Sequence, residues 1–575
     1  MATTYDKASL VMIPSGVKES KLYSIKPTDG SGDFTFSRGT DTATRVNASG
    51  LIEKERGNLL LQSNTFSNAA WVNTSSTETG GQSGYDGSND AWLLSKSALA
   101  GKIRQNISLS GVKTFSLYTK ANASNWIAIT FNTAQSFAYF DLSSASLGSA
   151  GTEIIDHNIE SVGSDWYRVS LSTNISMTAI DIYVADADND VSGTSGSIFI
   201  QDAQIEQGLV ATDYIETTTA AVYEGITDNL PRLDYSGGAS CPSLLLEPSR
   251  TNVFTDSEYF NGTDWILQDA TITTNVAISP EGVQNASLYT SASDLYDFAR
   301  QNISFVSGTT YTYSVFAKAG TSSEIVLGYS NSVFGNGTSA VFNLSDGTYT
   351  KGSANPPVTM EDYGNGWWRC SVTATATITA TRSTGFSSAA SGAVTTLYLY
   401  GAQMEASASY PTSYIPTYGT SASRADDDME TGTLPAISGG EVSFFLDIDG
   451  AYDPNTNSTG ANFQWYFTSG HWVAWNNNTS SDHRIRVTDS GGNEYFTLPA
   501  NRTERCKVVV LLSSTNVKVI SNGVIVGSRT ISADWSTTNG LFTAITDSVG
   551  VVPIKQCLLF PTRLTDAECI ALTTI

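Results

Sequence analysis

Apolar residues occupy every second position in many short stretches of the chain. KTFSLYTKA (113–121), TYTYSVFAKA (310–319) and CKVVVLLSS (506–514) alternate in this way, and clusters of Gly, Asn, Asp and Ser separate such stretches. A period of two indicates half-buried β-strands, so the pattern predicts an almost entirely β chain. One helical turn is predicted in LTDAECIAL near the C-terminus, where Thr565 would cap the helix and Glu568 stands three residues later.

The chain contains two copies of one unit, because several blocks of sequence recur in the same order. The recurring blocks include Asn58, Phe66 and Trp71 with Asn252, Phe260 and Trp265; RQNISLSG (104–111) with RQNISFVSG (300–308); SDWYRVSLS (from 164) with GWWRCSVT (from 366); and AQIE and TDYI (203–206, 212–215) with AQME and TSYI (402–405, 412–415). A duplication that keeps this order predicts two domains of one fold, and each copy has the size of a β-sandwich.

The blocks and the changes of pattern between them predict the domain boundaries. We expect an N-terminal segment over 1–57, a first sandwich over 58–217, a joiner over 218–253, a second sandwich over 254–417 and a third over 418–575. The joiner carries Leu244, Leu245 and Leu246, which a floppy linker would not need, so we expect it to pack against its neighbours.

Charge and composition exclude several classes of protein. The net charge of −24 would repel a phosphate backbone, which argues against nucleic-acid binding. No apolar run is long enough to span a bilayer, and the first residues lack the basic region of a secretory signal. The five Cys are thinly spread, and we interpret them as small buried hydrophobes, with a Cys557–Cys569 pair as the alternative.

Three segments resemble parts of phage structural proteins. They are SLVMIPSGVKESKLYSIKPTDGSGDFTFSRGTDTATRVNASGLIE (9–53), NLPRLDYSGGASCPSLLLEPSRTN (229–252) and GAQMEASASYPTSYIPT (401–417). The repeated unit is similar to the jelly-roll modules of phage tail and fibre proteins, which resemble carbohydrate-binding modules. The C-terminal stretches VKVISNGVIVG (517–527) and KQCLLFPTRLTDAECIAL (555–572) resemble a laminin-G or concanavalin-like sandwich. The expected fold is therefore two duplicated jelly rolls and one concanavalin-like sandwich.

The resemblance implies a virion protein of the tail-fibre or spike type. Such a protein would be made in the host cytoplasm, released by lysis and assembled as a homo-oligomer. Its N-terminal segment would dock to other virion proteins, and its sandwiches would bind a host-surface glycan. Two alternatives are a capsid or collar decoration protein that makes only protein–protein contacts, and a polysaccharide-degrading spike.

The repeated Trp-aromatic-Arg triplet has two interpretations. Strand alternation places Trp166 and Arg168 on one face, and the second copy does the same with Trp367 and Arg369. The Trp rings could be platforms for sugars, with the Arg side chains donating to hydroxyls or to a sugar carboxylate. We favour scaffolding instead, because ligand sites tend to lie in loops rather than in blocks that both copies retain.

Other glycan candidates lie where the copies differ or in the third domain. Trp126 stands among polar residues in NASNWIAITFN (122–132), and SGHWVAWNNNTSSDHR (469–484) gathers His471, Trp472, Trp475 and Asn476. Aromatic rings among amides are typical of sugar-binding surfaces, although such clusters also serve as packing.

Evidence for a metal or for catalysis is sparse. Asp186, Asp188 and Asp190 alternate like the start of a Ca²⁺-binding loop, but the Gly and Glu that complete an EF-hand loop are missing, so we favour a solvated turn. No nucleophile-elbow, zincin or P-loop motif occurs, and the only acid retained by identity in the strong repeat blocks is Glu206 with Glu405. We therefore expect a protein that is not an enzyme and that requires no cofactor.

Overall fold

The computed structural model describes residues 4–292, 297–388, 393–431, 440–449, 461–468, 471–477, 482–501, 504–533, 535, 541–544 and 552–575. Strands form almost all of their regular structure, which confirms the all-β prediction. The helices in this part of the chain are short: Thr4–Lys7, Ser236–Gly238, Asn331–Phe334 and Asp566–Thr573. In the last helix Thr565 and Glu568 form the predicted capping box.

The first copy, called repeat 1 here, is a sandwich of two six-stranded antiparallel sheets. The sheet that holds the Trp-aromatic-Arg strand, called the triplet sheet, has the order Asp156–Gly163, Trp166–Thr173, Lys113–Ala121, Gly196–Gln207, Ala91–Lys96, Ser76–Gln82. The other, called the RQNIS sheet, has the order Ser146–Ala150, Phe137–Asp141, Trp126–Thr130, Met177–Ala185, Lys102–Leu109, Trp71–Thr74. The apolar faces of the two sheets bury each other, and Val169 and Leu171 lie in this core as the alternation predicts.

The second copy, repeat 2, has the same two layers. Its triplet sheet runs Ala270–Ala277, Ala286–Ser291, Thr396–Ala406, Thr310–Ala319, Trp367–Thr375, Val358–Asp362. Arg250–Asn252 also pairs with Thr396–Ala406, and Ala422–Arg424 pairs with Arg250–Asn252. Its RQNIS sheet runs Ile266–Gln268, Phe298–Phe305, Ala380–Ser388, Glu324–Gly328, Ser339–Asn343, Thr348–Lys351. The prediction of tandem β-sandwiches is confirmed.

The polar residues that both repeats retain hold the end of each repeat to its body. Asn58 Nδ2 donates to the carbonyls of Ala203 and Ile215 at 3.0 and 2.9 Å. Asn252 repeats these bonds in repeat 2, to Ala402 and Ile415. Glu206 and Glu405 likewise accept from the backbone and side chain of Thr212 and Thr412. Retention of these residues therefore has a structural cause, since each satisfies buried backbone groups.

The third sandwich is assembled from distant parts of the chain. One sheet has the order Arg232–Asp234, Ser243–Leu246, Val552–Phe560, Val442–Asp449, Arg505–Leu512, Asn516–Ser521, Val524–Thr530, and Leu10–Met12 also pairs with Val552–Phe560. The other has the order Val17–Lys18, Lys21–Leu22, Phe34–Ser37, Asp428–Thr431, Leu541–Ala544, Ala461–Thr468, His471–Asn477, Asp482–Asp489, Gly492–Asn501. Two small pairs complete the strands, Arg45–Val46 with Ile52–Glu53 and Arg56–Asn58 with Val222–Glu224.

This assembly corrects the expected domain organisation. Residues 1–57 were expected to be a separate N-terminal segment that attaches to the virion, but Leu10 and Phe34 within it are fully buried in the core of the third sandwich. Leu244 of the joiner is buried in the same core. The physical reason is that strands Leu10–Met12 and Phe34–Ser37 have apolar faces, which only another sheet can bury. The third domain therefore consists of the N-terminal strands, part of the joiner and the described strands from Asp428–Thr431 onward.

Buried ion pairs hold these parts together at one junction. Arg232 of the joiner donates to Glu247 at 2.7 Å and also pairs with Asp427, while Arg424 lies 2.9 Å from the same Glu247. Burial alone would raise the pKa of Glu247, but Arg424 and Arg232 lower it to about 2. Each charge here has an opposite partner, which is the condition under which a protein interior tolerates charged groups.

The cysteines are all free in this structure. Cys370, Cys506, Cys557 and Cys569 are buried and Cys241 is exposed. The alternative of a Cys557–Cys569 disulfide is therefore not observed. Within the part of the chain that the structure describes, no helix is both long and apolar enough to cross a membrane.

Candidate functional site

The indole rings of the repeated triplet are buried on the face of the triplet sheet that turns away from the sandwich core. Trp166 is 3% exposed and Trp367 is 2% exposed. Arg168 and Arg369 donate to Ser116 and Ser314 on the neighbouring strand, at 3.0 and 3.2 Å. A buried ring offers no free face to a sugar, so the structure supports the scaffolding interpretation and contradicts the platform interpretation.

Trp126 lies on the outer face of the RQNIS sheet of repeat 1. Its ring is half-buried and belongs to an aromatic group with Tyr139, Tyr183 and Phe137. Phe137 stacks on Tyr139 with 5.8 Å between ring centroids. This face of repeat 1 is therefore covered by its own aromatic side chains.

Strand alternation divides the aromatic cluster of the third sandwich. Trp475 is 1% exposed and lies in the core, on the same side as Val473. Trp472 is half-buried, and the Arg486 guanidinium lies 4.0 Å from its ring centroid. His471 is half-buried and lies 5.9 Å from the Trp535 ring. The side chain of Asn476 lies outside the described residues, and the other three do not form one common surface.

The three aspartates proposed for Ca²⁺ have separate partners. Asp186 pairs with Lys96 at 2.5 Å, Asp188 accepts from the backbone and side chain of Ser149, and Asp190 accepts from the Ser192 backbone at 2.8 Å. No group of three His, Cys, Asp or Glu side chains within the described ranges is arranged to hold a metal ion. The carboxylates do not converge as Ca²⁺ coordination requires, which corrects that hypothesis.

A groove crosses the outer face of the RQNIS sheet of repeat 2. Backbone pairing sets Arg300 opposite Gly385, Gly385 opposite Gly328, and Gly328 opposite Ser339. Residues that stand opposite one another on adjacent strands share one face of a sheet. A row with two glycines and a serine therefore leaves a depression, which has a volume of about 440 Å³.

The walls of the groove combine aromatic residues with cationic and hydroxyl groups. Phe298, Arg382, Thr384 and Ser387 line it together with the floor residues. The Arg300 guanidinium lies 5.9 Å from the Phe298 ring centroid, and its Nη2 donates to Gln268 at 2.9 Å. An apolar ring next to fixed polar groups is the usual composition of a small-ligand site.

Two of the residues that line the groove have a buried polar atom without a partner. Thr384 is 2% exposed, and its Oγ1 forms no hydrogen bond with any described residue. The buried Nε of Arg300 likewise has no partner within those ranges. Thr384 stands opposite Gln301, so its hydroxyl lies on the inner face of the sheet, whereas Arg300 lies on the face that carries the groove. Buried polar groups are normally satisfied, so the Nε of Arg300 marks a place where a ligand or ordered water would bond.

On the corresponding face of repeat 1, side chains stand where repeat 2 has glycines. There the row is Arg104, Asp181, Thr130 and Phe137, set by the same kind of pairing. Asp181 binds the Arg104 guanidinium through both oxygens, at 2.6 and 2.7 Å, and accepts from Lys102 at 2.9 Å. In repeat 1, side chains thus fill the space that Gly385 and Gly328 leave open in repeat 2.

Sequence reasoning missed Arg300 although it lies in a repeated block. RQNIS occurs in both copies, and the retained Arg was assigned no role. The informative difference is Asp181 against Gly385, and these positions face the RQNIS strand only after folding. A comparison of the two copies that included strand register would have found it.

Neither a protein-family model nor a curated protein matches the chain. Three solved structures are similar to about a quarter of it. They are domain 4 of AbnA, a GH43 extracellular arabinanase from Geobacillus stearothermophilus, in complex with arabinotriose (17% identity, 26% of this chain, 73% of that chain, TM-score 0.21); the CBM40 of the Ruminococcus gnavus IT-sialidase bound to alpha2,3 sialyllactose (12%, 24%, 84%, 0.19); and a heptameric SAP-like pentraxin from Limulus polyphemus (13%, 26%, 75%, 0.21). At these TM-scores the similarities carry no argument about function.

Proposed function

We propose that the chain is a non-enzymatic glycan-binding protein of the phage tail-fibre or spike type, in which the groove of repeat 2 holds the glycan. The observation that carries this proposal is the groove itself. It places the Phe298 ring beside Arg300, in a groove that the serines Ser339 and Ser387 also line. Sugars offer apolar ring faces and many hydroxyls, so this combination fits them.

The proposal assigns no particle-docking role to residues 10–37, because these residues are used within the third sandwich. The proposal includes attachment to the virion and assembly into a homo-oligomer, so that several copies of the chain bind the host surface at once. Binding through several copies would raise the apparent affinity of a weak single site. The isolated chain should therefore bind host cells more weakly than the assembled particle does.

A glycan array probed with the full chain tests the binding function. The proposal expects a signal that falls when Phe298→Ala removes the ring from the groove. Tyr349→Ala is the matched control, because Tyr349 is a 44% exposed aromatic residue of the same sheet that does not line the groove. An array without signal would overturn glycan binding and favour a decoration protein that makes only protein–protein contacts.

A second assay tests the absence of catalysis. The full chain is incubated with host capsule polysaccharide, and reducing ends are measured over time. No release is expected. Release of reducing ends would show a polysaccharide-degrading spike and refute the non-enzymatic assignment.

A further inference from the structure

We propose that the glycan bound in the groove of repeat 2 is anionic, with a carboxylate or sulfate group held by Arg300. This inference rests on the proposed glycan-binding function and names the class of ligand. It follows from the difference between the two repeats at one position on the sheet.

Arg104 and Arg300 occupy the same place in the two RQNIS sheets but differ in their partners. In repeat 1, Asp181 neutralises Arg104 with two hydrogen bonds. In repeat 2, the residue opposite Arg300 is Gly385, and Arg300 forms no ion pair with any residue that the structure describes. The guanidinium of Arg300 is thus available where that of Arg104 is occupied.

The backbone prevents a side chain at position 385 from neutralising Arg300. A Cβ added to Gly385 would lie 1.9 Å from the Ala299 carbonyl oxygen. Real Cβ atoms essentially never show contacts under 3.0 Å, so the backbone at Ala299 or at position 385 would have to shift. A negative charge opposite Arg300 must therefore come from a group other than the side chain of residue 385, such as a bound ligand.

The groove has a second positively charged residue, and no acidic residue is among the described residues that line it. Arg382 lines it, is exposed and bonds only to the Ser332 hydroxyl and the Thr381 carbonyl among the described residues. None of the described lining residues is Asp or Glu. Two guanidinium groups in one groove of a chain with a net charge of −24 form a local positive site.

The chemistry of guanidinium favours a planar anionic partner. Arg donates two parallel hydrogen bonds to a carboxylate, as Arg104 does to Asp181, and sulfate oxygens accept in the same way. The buried Nε of Arg300, which lacks a partner, adds a donor on the same group. An acidic sugar would place its anionic group here and its ring against Phe298.

Paired probes that differ only in the acidic group test the inference. The full chain is titrated with oligogalacturonate and its methyl ester, with sialyllactose and lactose, and with sulfated lactose. The acidic members should bind at least about tenfold more tightly than their neutral partners, because a hydrogen bond to a charged group contributes more binding free energy than a hydrogen bond between neutral groups. The carboxylated and sulfated probes distinguish the two sources of negative charge.

Two variants locate the effect. Arg300→Gln should weaken binding of the acidic probe about tenfold and that of the neutral probe far less, and Arg300→Lys should restore part of the loss. Arg104→Gln is the matched control in repeat 1 and should leave both affinities unchanged. Thermal unfolding of each variant shows whether it is folded.

The possible results separate the failure of the inference from the failure of the proposed function. Equal binding of acidic and neutral probes, or an Arg300→Gln variant with undiminished affinity for the acidic probe, overturns the inference and leaves glycan binding standing. Binding to neutral array glycans with no response to any acidic probe does the same. A blank array together with blank titrations overturns the proposed function and the inference with it.

Discussion

Lys54 and Glu258 form a buried ion pair between the segment that precedes repeat 1 and the body of repeat 2, with 2.9 Å between Nζ and Oε1. The Lys54 Nζ also lies 3.1 Å from Glu281. Burial alone would lower the pKa of Lys54, but the two carboxylates raise it well above its usual value. Lys54 is therefore charged in the folded protein, and it connects parts of the chain that are distant in sequence.

Removal of the Lys54 charge should destabilise the protein strongly. Lys54→Met would leave Glu258 and Glu281 buried without their shared cation, which costs about 3–5 kcal/mol for a buried pair. Chemical denaturation of the full chain measures the change. Lys120→Met is the control, because the Lys120–Asp165 pair is at 4.0 Å with Asp165 89% exposed, and it should change stability by less than about 0.5 kcal/mol. Equal effects of the two substitutions would contradict the structural role of Lys54.

A substitution near the N-terminus should destabilise the C-terminal sandwich. Phe34 is fully buried in the core of the third sandwich, and Phe34→Ala should cost about 3–5 kcal/mol. Hydrogen exchange of Val442–Asp449, in the opposite sheet, should then become faster. Ile25→Ala, at a residue that is 48% exposed, should leave this exchange unchanged. Protection of 442–449 that is insensitive to Phe34→Ala would show that the N-terminal strands are not part of this domain.

The charge of Asp202 should make stability depend on pH. Asp202 is 6% exposed and has a positive φ of 53°, and the Tyr85 hydroxyl donates to it at 3.0 Å. Burial raises the pKa of Asp202 to about 7, and the nearby Asp90 and Asp86 add to the effect. The folded protein thus holds a proton that the unfolded chain releases near 3.8, the ordinary pKa of an aspartate. Stability should therefore fall as the pH rises from about 4 to about 7.

Asp202→Asn tests this dependence. Asn tolerates a positive φ and can still accept from Tyr85, but it carries no charge. The variant should unfold at a higher temperature than the wild type at pH 8, and the two should agree near pH 4. Asp165→Asn, at an exposed residue with a φ of 60°, should alter stability by less than about 0.5 kcal/mol. A difference between Asp202→Asn and wild type that does not vary with pH would refute the raised pKa.

The parts of the fold that follow from local pattern were predictable. Alternation in TYTYSVFAKA predicts Thr310–Ala319, and the capping residues Thr565 and Glu568 predict the last helix. The recurring blocks predict two similar sandwiches. Scaffolding was the favoured interpretation of Trp166 and Trp367, and their burial supports it.

The parts that depend on distant pairing were not predictable from one sequence. Leu10 pairs with Leu559, and nothing in the local pattern of either strand identifies the other. The groove has the same cause, since Arg300 is available only because Gly385 stands opposite it. Strand register determines both features, and alternation of apolar residues identifies strands without identifying their partners.

A crystal structure of the full chain with the acidic glycan that binds best tests the central claim most directly. The account predicts a ligand in the groove of repeat 2, with an anionic oxygen within hydrogen-bonding distance of Arg300 and the sugar ring against Phe298. A ligand bound instead on the aromatic face around Trp126, or beside Trp472, with the groove of repeat 2 empty, would contradict it.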